Sequence, residues 1–137
     1  MFVPKKTKYK KAQKGHPPKG ISIRCNTISY GKYGLKSLTP GKITSKQIEA
    51  VRRTIMRKTK KLGKLWIRVY PDIPISLKPA EVRMGKGKGN PEYYISKVKA
   101  GRVLFELDNL TYAQAKEVLE NVKYKLPILT KFVHKID

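Results

Sequence analysis

The residue types best suited to chemistry in this sequence occur in one glycine- and lysine-rich segment. It consists of Arg83, Met84, Gly85, Lys86, Gly87, Lys88 and Gly89. Glycine lets a backbone take positive φ values and approach another surface closely, and the intervening lysines add positive charge along the same stretch. Such a segment is suited to contact with the phosphates of a polyanion. A charged hairpin tip that faces solvent is the alternative interpretation.

The spacing of this segment excludes two kinds of nucleotide site. A P-loop requires a glycine followed by lysine and by serine or threonine, and then a helix. Here Gly89 is followed by Asn90, Pro91 and a predicted strand. The dinucleotide motif requires two residues between its second and third glycines, whereas only Lys88 separates Gly87 from Gly89. The sequence therefore predicts no small-molecule substrate and no cofactor.

The balance of charge indicates a nucleic acid as the partner. The 137 residues include 32 lysines and arginines against 9 acids, a formal net charge of +23. The first 70 residues hold 20 of the basic residues and a single acid, Glu49. Charge of one sign, concentrated in half of a chain, is typical of proteins that bind nucleic acid. A membrane surface is the weaker alternative, because the basic residues do not accompany one strongly apolar helix.

Several other classes of protein are disfavoured. No apolar run is long enough to span a bilayer, and the lysine-rich start predicts neither a secretory signal nor a transit peptide. The single cysteine, Cys25, fits a reducing compartment and is expected to be a small strand residue rather than a nucleophile. His16 and His134 form no cluster that would suggest zinc. Because an acid, base and nucleophile set is also missing, the sequence predicts no metal and no enzyme.

The chain is predicted to divide into an arm and a domain. Residues 1–20 offer almost nothing aliphatic to bury, which predicts a basic, extended arm that is disordered unless a partner orders it. The lysines of this arm that are predicted to contact the nucleic acid are Lys5, Lys6, Lys8, Lys10, Lys11 and Lys14. Residues 21–137 predict a single α+β domain from which the loop 79–92 projects. A merely solvated tail is the alternative for the arm.

A basic helix is predicted to begin after Thr44 and to end before Gly63. Thr44 and Gln47 have the spacing of a capping box, and apolar residues repeat at helical spacing at Ile48, Val51, Ile55 and Leu62. Basic residues crowd the remaining surface and continue past the end of the helix, at Arg52, Arg53, Arg57, Lys58, Lys60, Lys61, Lys64 and Arg68. Because phosphates relieve this self-repulsion, we predict that these residues contact the phosphates of a nucleic acid.

The rest of the domain predicts strands and a second helix. Apolar patterns predict strands at 21–29, 65–70, 93–99, 102–107 and 128–133, with a turn at 30–34. Ala100 and Gly101 are predicted to join the third and fourth strands as a hairpin. Thr111 and Gln114 predict the cap of a helix of mixed charge. A break in regular structure is predicted at Pro71, Pro74 and Pro79. The result is an α+β fold with a mixed or antiparallel sheet and two helices.

Two segments together resemble a known family. Lys60–Pro71 and Arg83–Gly89 are similar to the two signature motifs of large-subunit ribosomal protein sixteen, of the bacterial and organellar type. Shorter stretches extend the resemblance over nearly the whole chain, at Pro4–Tyr9, Leu104–Asp108, Lys125–Ile128 and Thr130–Val133. Residues 16–28 match the family poorly, Tyr94 replaces its usual tryptophan, and Asn109 replaces a glycine, which leaves room for a different turn there.

The resemblance implies a structural protein of the large ribosomal subunit. Members of this family bind large-subunit rRNA near the peptidyl-transferase centre, beside the aminoacyl-tRNA site, and support tRNA positioning and late subunit assembly. On this view the arm and the basic helix anchor to rRNA, and the loop Arg83–Gly89 faces tRNA. Neighbouring large-subunit proteins are the other partners implied. Peptide-bond chemistry belongs to the RNA, which agrees with the missing catalytic set.

Two functions are alternatives to the ribosomal role, and the composition also predicts a cellular location. A free-standing nucleoid protein or RNA chaperone would share the composition, and an RNA-modifying enzyme would need a cofactor loop or a catalytic cluster. The excess of lysine over arginine, with many isoleucines and tyrosines, is typical of an AT-rich genome. We therefore expect a ribosome in an organelle, specifically the mitochondrial matrix, with the bacterial cytoplasm as the alternative.

Overall fold

The computed structural model describes residues 2–136, so Met1 and Asp137, the outer ends of the predicted arm and domain, lie outside the described residues. Within the described range there are seven strands and two α-helices. The strands are β1 Tyr33–Ser37, β2 Gly41–Thr44, β3 Lys64–Ile67, β4 Ile73–Leu77, β5 Asn90–Val98, β6 Val103–Asp108 and β7 Thr130–His134. The helices are α1 Ser45–Lys58 and α2 Tyr112–Val122, with a 3₁₀ turn at Lys123–Lys125. The predicted α+β class is confirmed.

The strands form two antiparallel sheets rather than one. One sheet has four strands in the order β3-β6-β1-β7, and the other has three in the order β2-β5-β4. The predicted hairpin of β5 and β6 is therefore wrong, because these consecutive strands belong to different sheets. Val98 and Val103, which end β5 and begin β6, are both fully buried. The chain turns at Gly101, with a φ of 87°, and carries the second valine into the other sheet.

Both sheets and both helices contribute to one hydrophobic core. Leu35 of β1 lies opposite Phe105 of β6, and Ile43 of β2 and Val98 of β5 join the same cluster. The helices add residues at three- and four-residue spacing, namely Ile48, Val51 and Ile55 from α1 and Val118, Leu119 and Val122 from α2. Both helices begin with the predicted capping boxes, formed by Thr44 with Gln47 and by Thr111 with Gln114.

The first helix is shorter than predicted. α1 ends at Lys58, where the hydroxyl of Thr59 donates to a carbonyl of the preceding turn. Lys60 and Lys61 then take left-handed φ values of 51° and 63° and reverse the chain. Leu62 is consequently 74% exposed and does not belong to the buried face. The helix therefore ends at the Thr59 cap, where the consecutive lysines also repel one another. The apolar pattern in the sequence continues to Leu62, one turn further.

The segment before β1 is not a strand, contrary to the prediction. A single isolated bridge joins Ile21 to Ala100 within the described residues. Ile21 and Ile23 are 77% and 90% exposed, and Cys25 takes a left-handed φ of 56°. Alternating apolar residues favour a strand only where a sheet face covers them, and none does so here. The strand forms instead over Tyr33–Ser37, largely beyond the predicted turn.

β4 crosses a proline at which a break in structure was expected. Pro74 pairs with Tyr94 in the register of β4 and β5. Because β4 is an edge strand of its sheet, the missing N–H group of proline removes no bond to a further strand. β4 and β5 therefore form a hairpin whose ends, Leu77 and Asn90, lie opposite each other. The glycine- and lysine-rich loop connects these two ends.

A buried carboxylate fixes the segment that precedes β1. Glu106 of β6 has no solvent exposure, and it accepts hydrogen bonds from the backbone N–H groups of Ser29, Tyr30 and Gly31 at 3.1, 2.6 and 2.9 Å. The guanidinium of Arg68 donates to the same carboxylate at 2.7 Å. Burial raises the pKa of Glu106, but these donors outweigh burial and hold the pKa below its usual range. The carboxylate thus supplies the acceptors that a neighbouring strand would otherwise provide.

Replacing Glu106 with glutamine should destabilise the fold at neutral pH by about 3–5 kcal/mol, because the mostly buried guanidinium of Arg68 loses its counter-charge. Chemical denaturation followed by circular dichroism measures this change. The matched control is Glu120→Gln on the exposed surface of α2, which should change the free energy of unfolding by less than about 0.5 kcal/mol. Equal effects at the two positions would contradict the anchoring role of Glu106.

The same carboxylate predicts a pH dependence. Because the pKa of Glu106 is lowered in the folded protein, its stabilising contribution is complete above the unfolded value of 4.5 and is lost as the pH falls below that value. The difference in free energy of unfolding between the wild type and Glu106→Gln should therefore shrink from about pH 5 to about pH 3. A difference that stays constant over a denaturation series in this range would contradict the prediction.

Candidate nucleic-acid interface

The basic surface predicted on α1 is exposed in the structure. The helix buries its apolar stripe in the core, which turns the intervening residues outward. Arg53, Arg57 and Lys58 are exposed, and Arg52 is half-buried. Glu49 is the single acid of this helix. The outer face of α1 therefore carries charge of almost one sign, which phosphates neutralise effectively.

The positive charge continues past the end of α1. Lys60, Lys61 and Lys64 are exposed, and the first two lie on the left-handed turn that follows the helix. Arg57 and Lys58 occupy the last helical turn, where cations interact favourably with the negative end of the helix dipole. The fold thus gathers these five residues at one end of α1, and the helix itself stabilises two of them there.

Glu49 engages two arginines of this face. Arg52 donates to both carboxylate oxygens, at 2.9 and 2.5 Å, and Arg53 donates at 3.1 Å. The hydrogen bond from Arg52, supported by both positive charges, lowers the pKa of Glu49 to about 2. The carboxylate is therefore ionised at neutral pH, and it competes with any phosphate for the same two guanidinium groups.

Arg68 is placed differently from the other predicted RNA-binding residues. Its side chain is 13% exposed, and its guanidinium contacts Glu106, the carbonyl of Thr27 and the ring of Tyr30. Tyr30 in turn stacks on Trp66, with ring centroids 6.2 Å apart. The charge of Arg68 is matched inside the fold by Glu106, so Arg68 is less available to a phosphate than the exposed basic residues, and its contact with RNA stays a prediction.

The loop between β4 and β5 is exposed and tightly curled. Gly85, Lys86 and Gly87 all have left-handed φ values, of 104°, 58° and 90°, a conformation that glycine adopts readily and lysine rarely. The Nζ of Lys78 donates to the carbonyl of Gly85 and ties the loop to its own base. Met84 is 99% exposed. The other predicted loop residues are exposed as well, namely Arg83, Gly85, Lys86, Gly87 and Lys88. Gly89 is half-buried.

The arm lies against the domain and meets this loop. The Nζ of Lys11 donates to the carbonyl of Lys88 at 2.6 Å, and the Nζ of Lys88 donates to the carbonyl of Ala12. A third lysine, Lys42 of β2, donates to the carbonyl of Gly15 at 2.8 Å. Backbone carbonyls are the acceptors in all three contacts, so the arm and the loop are joined without any carboxylate.

The arm carries its predicted RNA-binding residues on the surface. Phe2 packs against the core and meets Tyr70 edge-on, with ring centroids 6.4 Å apart. Residues 3–20, which follow Phe2 and include the contacts with the loop, form no helix or strand. The six lysines predicted to bind RNA are all exposed, namely Lys5, Lys6, Lys8, Lys10, Lys11 and Lys14. The structure thus presents them on an irregular segment that contacts the domain through Phe2 at one end and near Lys11, Ala12 and Gly15 at the other.

Comparison with known proteins decides the family. The model of the ribosomal protein L16p/L10e family matches residues 4–133. The large ribosomal subunit protein uL16 of Rhodopseudomonas palustris (strain BisB18) is 51% identical over 136 residues, which cover 99% of this chain and 98% of the relative. The chain belongs to the ribosomal protein L16p/L10e family. Proteins with the same name from Nitrobacter winogradskyi and Maricaulis maris are 52% and 50% identical, with the same coverage.

Membership in the L16p/L10e family makes the chain a structural constituent of the large ribosomal subunit rather than an enzyme, as predicted. Within residues 2–136, no group of three or more histidine, cysteine or acidic side chains could hold a metal ion. No helix in that range is long and apolar enough to cross a membrane. The relatives named above are bacterial, so they support a ribosomal location without supporting an organelle.

One departure from the L16p/L10e family leaves the local backbone unstrained. Asn109, in place of the usual glycine, takes a left-handed φ of 61° directly after β6. Asparagine is one of the few residues that enter this region routinely. The N–H group of Asn109 donates to the carboxylate of Asp108 at 2.8 Å. The turn therefore has a conformation that also suits glycine, so the substitution does not require a different turn.

The structure brings together a pair of basic residues that the sequence did not predict. Lys42 of β2 and Lys97 of β5 are directly opposite each other in the sheet. Burial, followed by the charges of Lys14 and Lys97, lowers the pKa of Lys42. No signal in the sequence identifies such a pair, because neither lysine lies in a basic run and strand register is unknown until the sheet is formed.

Replacing Glu49 with glutamine should strengthen RNA binding, because it removes the single acid of α1 and releases Arg52 and Arg53 for phosphates. We expect affinity for a fragment of large-subunit rRNA to rise about three- to tenfold, with a steeper dependence on salt. Fluorescence anisotropy over a salt series measures both quantities. The control Glu120→Gln makes the same change of charge on α2 and should stay within about twofold of the wild type. Unchanged or weaker binding by Glu49→Gln would show that Glu49 does not compete with phosphate.

Proposed function

We propose that this chain binds large-subunit rRNA near the peptidyl-transferase centre and beside the aminoacyl-tRNA site, and that it supports tRNA positioning and late subunit assembly. The observation that carries the proposal is a basic, exposed surface on a chain whose family match spans residues 4–133. Charge of one sign at such density favours a phosphate-rich partner. The location within the subunit rests on the family resemblance.

The arm and the end of α1 are the proposed rRNA anchors. The anchoring residues of the arm are Lys5, Lys6, Lys8, Lys10, Lys11 and Lys14, and those in and after α1 are Arg52, Arg53, Arg57, Lys58, Lys60, Lys61 and Lys64. All of them except half-buried Arg52 are exposed. Phosphate contacts fix the position and orientation of a protein on nucleic acid without reading its sequence, which suits a structural role.

The loop Arg83–Gly89 is the proposed contact with tRNA in the aminoacyl site. Its curled backbone and exposed lysines favour close approach to a second phosphate chain. The paired contacts of Lys11 and Lys88 connect the loop to the arm. A loop that contacts tRNA must itself be held in place. In this proposal rRNA holds the arm, and the arm holds the loop through these contacts.

Two further expectations remain proposals. We propose that residues 1–20 act as the arm and residues 21–137 as the rRNA-binding domain, which also touches neighbouring large-subunit proteins. The amino-acid composition favours an organelle ribosome in the mitochondrial matrix. The bacterial cytoplasm is the alternative, and the bacterial relatives fit it directly.

The protein should sediment with large ribosomal subunits and remain there when salt is raised to about 0.5 M. Binding through many phosphates weakens steeply as salt rises, so retention at this salt requires a protein that its shape locks among RNA and neighbouring proteins. A free-standing electrostatic binder lacks that lock. Immunodetection across sucrose gradients at low and raised salt measures this retention. A known large-subunit protein in the same gradient is the control. Release to the top of the gradient at modest salt would favour the free-standing nucleic-acid protein instead.

Charge reversal of α1 should prevent incorporation into subunits. The variant Arg53→Glu with Arg57→Glu places two acids where rRNA phosphates are proposed to bind, and we expect its share of assembled subunits to fall at least about tenfold. A tagged copy, quantified in purified subunits, measures incorporation. The control Lys116→Glu with Lys135→Glu makes the same change of charge at exposed residues outside the proposed anchors, and it should incorporate normally.

Neutralising the loop should separate its role from that of α1. The variant Arg83→Gln with Lys86→Gln should enter subunits normally but weaken aminoacyl-tRNA binding at least about threefold, because phosphate contacts to tRNA are lost. Filter binding of aminoacyl-tRNA to purified ribosomes measures this change. If the loop variant fails to assemble while the α1 variant assembles, the proposed roles of α1 in rRNA anchoring and of the loop in tRNA contact are wrong.

A further inference from the structure

A basic cavity lies between the segment that precedes β1 and the end of β5. Its volume is about 580 Å3. Its lining residues are Pro18, Ser22, Ile23, Arg24, Cys25, Lys97, Lys99 and Arg102. Four of these residues are cations and none is an acid. The cavity uses none of the basic residues assigned above to the rRNA anchors or to the loop.

Arg102 presents a polar atom that lacks an acceptor. Its Nη2 donates to the carbonyl of Arg68 at 3.0 Å, and its backbone N–H donates to the hydroxyl of Ser37 at 3.2 Å. These contacts hold the residue in place. Its Nε is buried and has no hydrogen-bond partner among the described residues. The Nε is closed to solvent in this conformation, so it reaches an anion in the cavity only when the side chain shifts. Because an unpaired buried donor of a charged group is costly, an oxyanion in the cavity would favour that shift.

The charges beside this cavity repel one another. Lys97 lies directly opposite Lys42 across the antiparallel pair of β2 and β5, an arrangement that destabilises a sheet when both charges have the same sign. Lys99, one residue past the end of β5, lines the same cavity as Lys97. An anion bound among these lysines would relieve the repulsion, and it would at the same time satisfy Arg102.

We propose that this cavity binds a phosphate group, with Arg102, Lys97, Lys99 and Arg24 as its cationic partners. Arginine and lysine are the side chains that pair most favourably with phosphate oxygens. Ile23, 90% exposed beside the cations, offers an apolar surface to a sugar or base attached to the phosphate. The phosphate belongs either to an RNA backbone or to a small phosphorylated molecule. If the phosphate belongs to RNA, this inference rests on the proposed function. If it belongs to a small molecule, the inference is independent of that function.

The test is titration of the full-length protein with inorganic pyrophosphate, followed by NMR of the Arg102 Nε–H group. Saturable movement of this resonance is expected. Lys97→Glu should weaken pyrophosphate binding at least about tenfold, because a phosphate contact becomes a repulsion. The same substitution turns the pair with Lys42 into an attractive one, so the thermal unfolding midpoint should rise. A purely structural role for Lys97 predicts a lower midpoint instead.

Two further variants make the result specific. Lys99→Glu alters the same cavity without altering the Lys42 pair, and it should also weaken pyrophosphate binding at least about tenfold. Lys116→Glu makes the same change of charge on α2 and should bind like the wild type. The proposal is overturned if the Arg102 resonance does not move, or if both cavity variants bind pyrophosphate as Lys116→Glu does.

A short oligouridylate identifies the source of the phosphate. If the cavity variants lose affinity for both pyrophosphate and oligouridylate relative to Lys116→Glu, the site accepts an RNA backbone. If they lose affinity for pyrophosphate alone, it accepts a small phosphorylated molecule, and either result supports the phosphate site. None of these measurements uses ribosomes. A negative result here therefore leaves the incorporation tests intact, and a failure of incorporation leaves this titration intact.

Discussion

In the four-stranded sheet, β6 lies between β3 and β1, and its Glu106 carboxylate is directed at the chain that leads into β1. Three backbone N–H groups and one guanidinium donate to it inside the fold. A buried carboxylate is stable only when its oxygens are satisfied in this way. The requirement fixes the segment before β1, brings Arg68 inward, and sets Tyr30 against Trp66.

Excess positive charge is the second constraint on the structure. With a net charge of +23, the chain has few acids with which to pair its cations. Glu49 pairs with two arginines and Glu106 with one, and elsewhere lysines donate to backbone carbonyls, as at the junction of the arm and the loop. These neutral acceptors leave the lysine charges uncompensated. The same charges are therefore available to phosphates, which is what a protein embedded in RNA requires.

The family membership and this distribution of charge both agree with a structural role in the large ribosomal subunit. A structural constituent of the large ribosomal subunit needs a stable core and a surface that RNA can neutralise. The core is shared by two sheets and two helices, while the arm, the end of α1 and the loop carry the exposed charges. Arg68 shows that basic residues within a recognised motif are not all surface residues. Its neighbour in space, Glu106, lies 38 positions away in the sequence.

The sequence by itself determined the features that depend on neighbouring residues. Helical spacing, the two capping boxes, the glycine-rich loop and the density of charge all act within about ten residues, and each was predicted. The family motifs likewise lie within short segments. Only the tertiary structure decided the division into two sheets, the burial of Arg68, the contact between arm and loop, and the pair formed by Lys42 and Lys97. Each of these depends on strand register or on contacts between distant segments, which the collapse of one core fixes and local residue patterns do not encode.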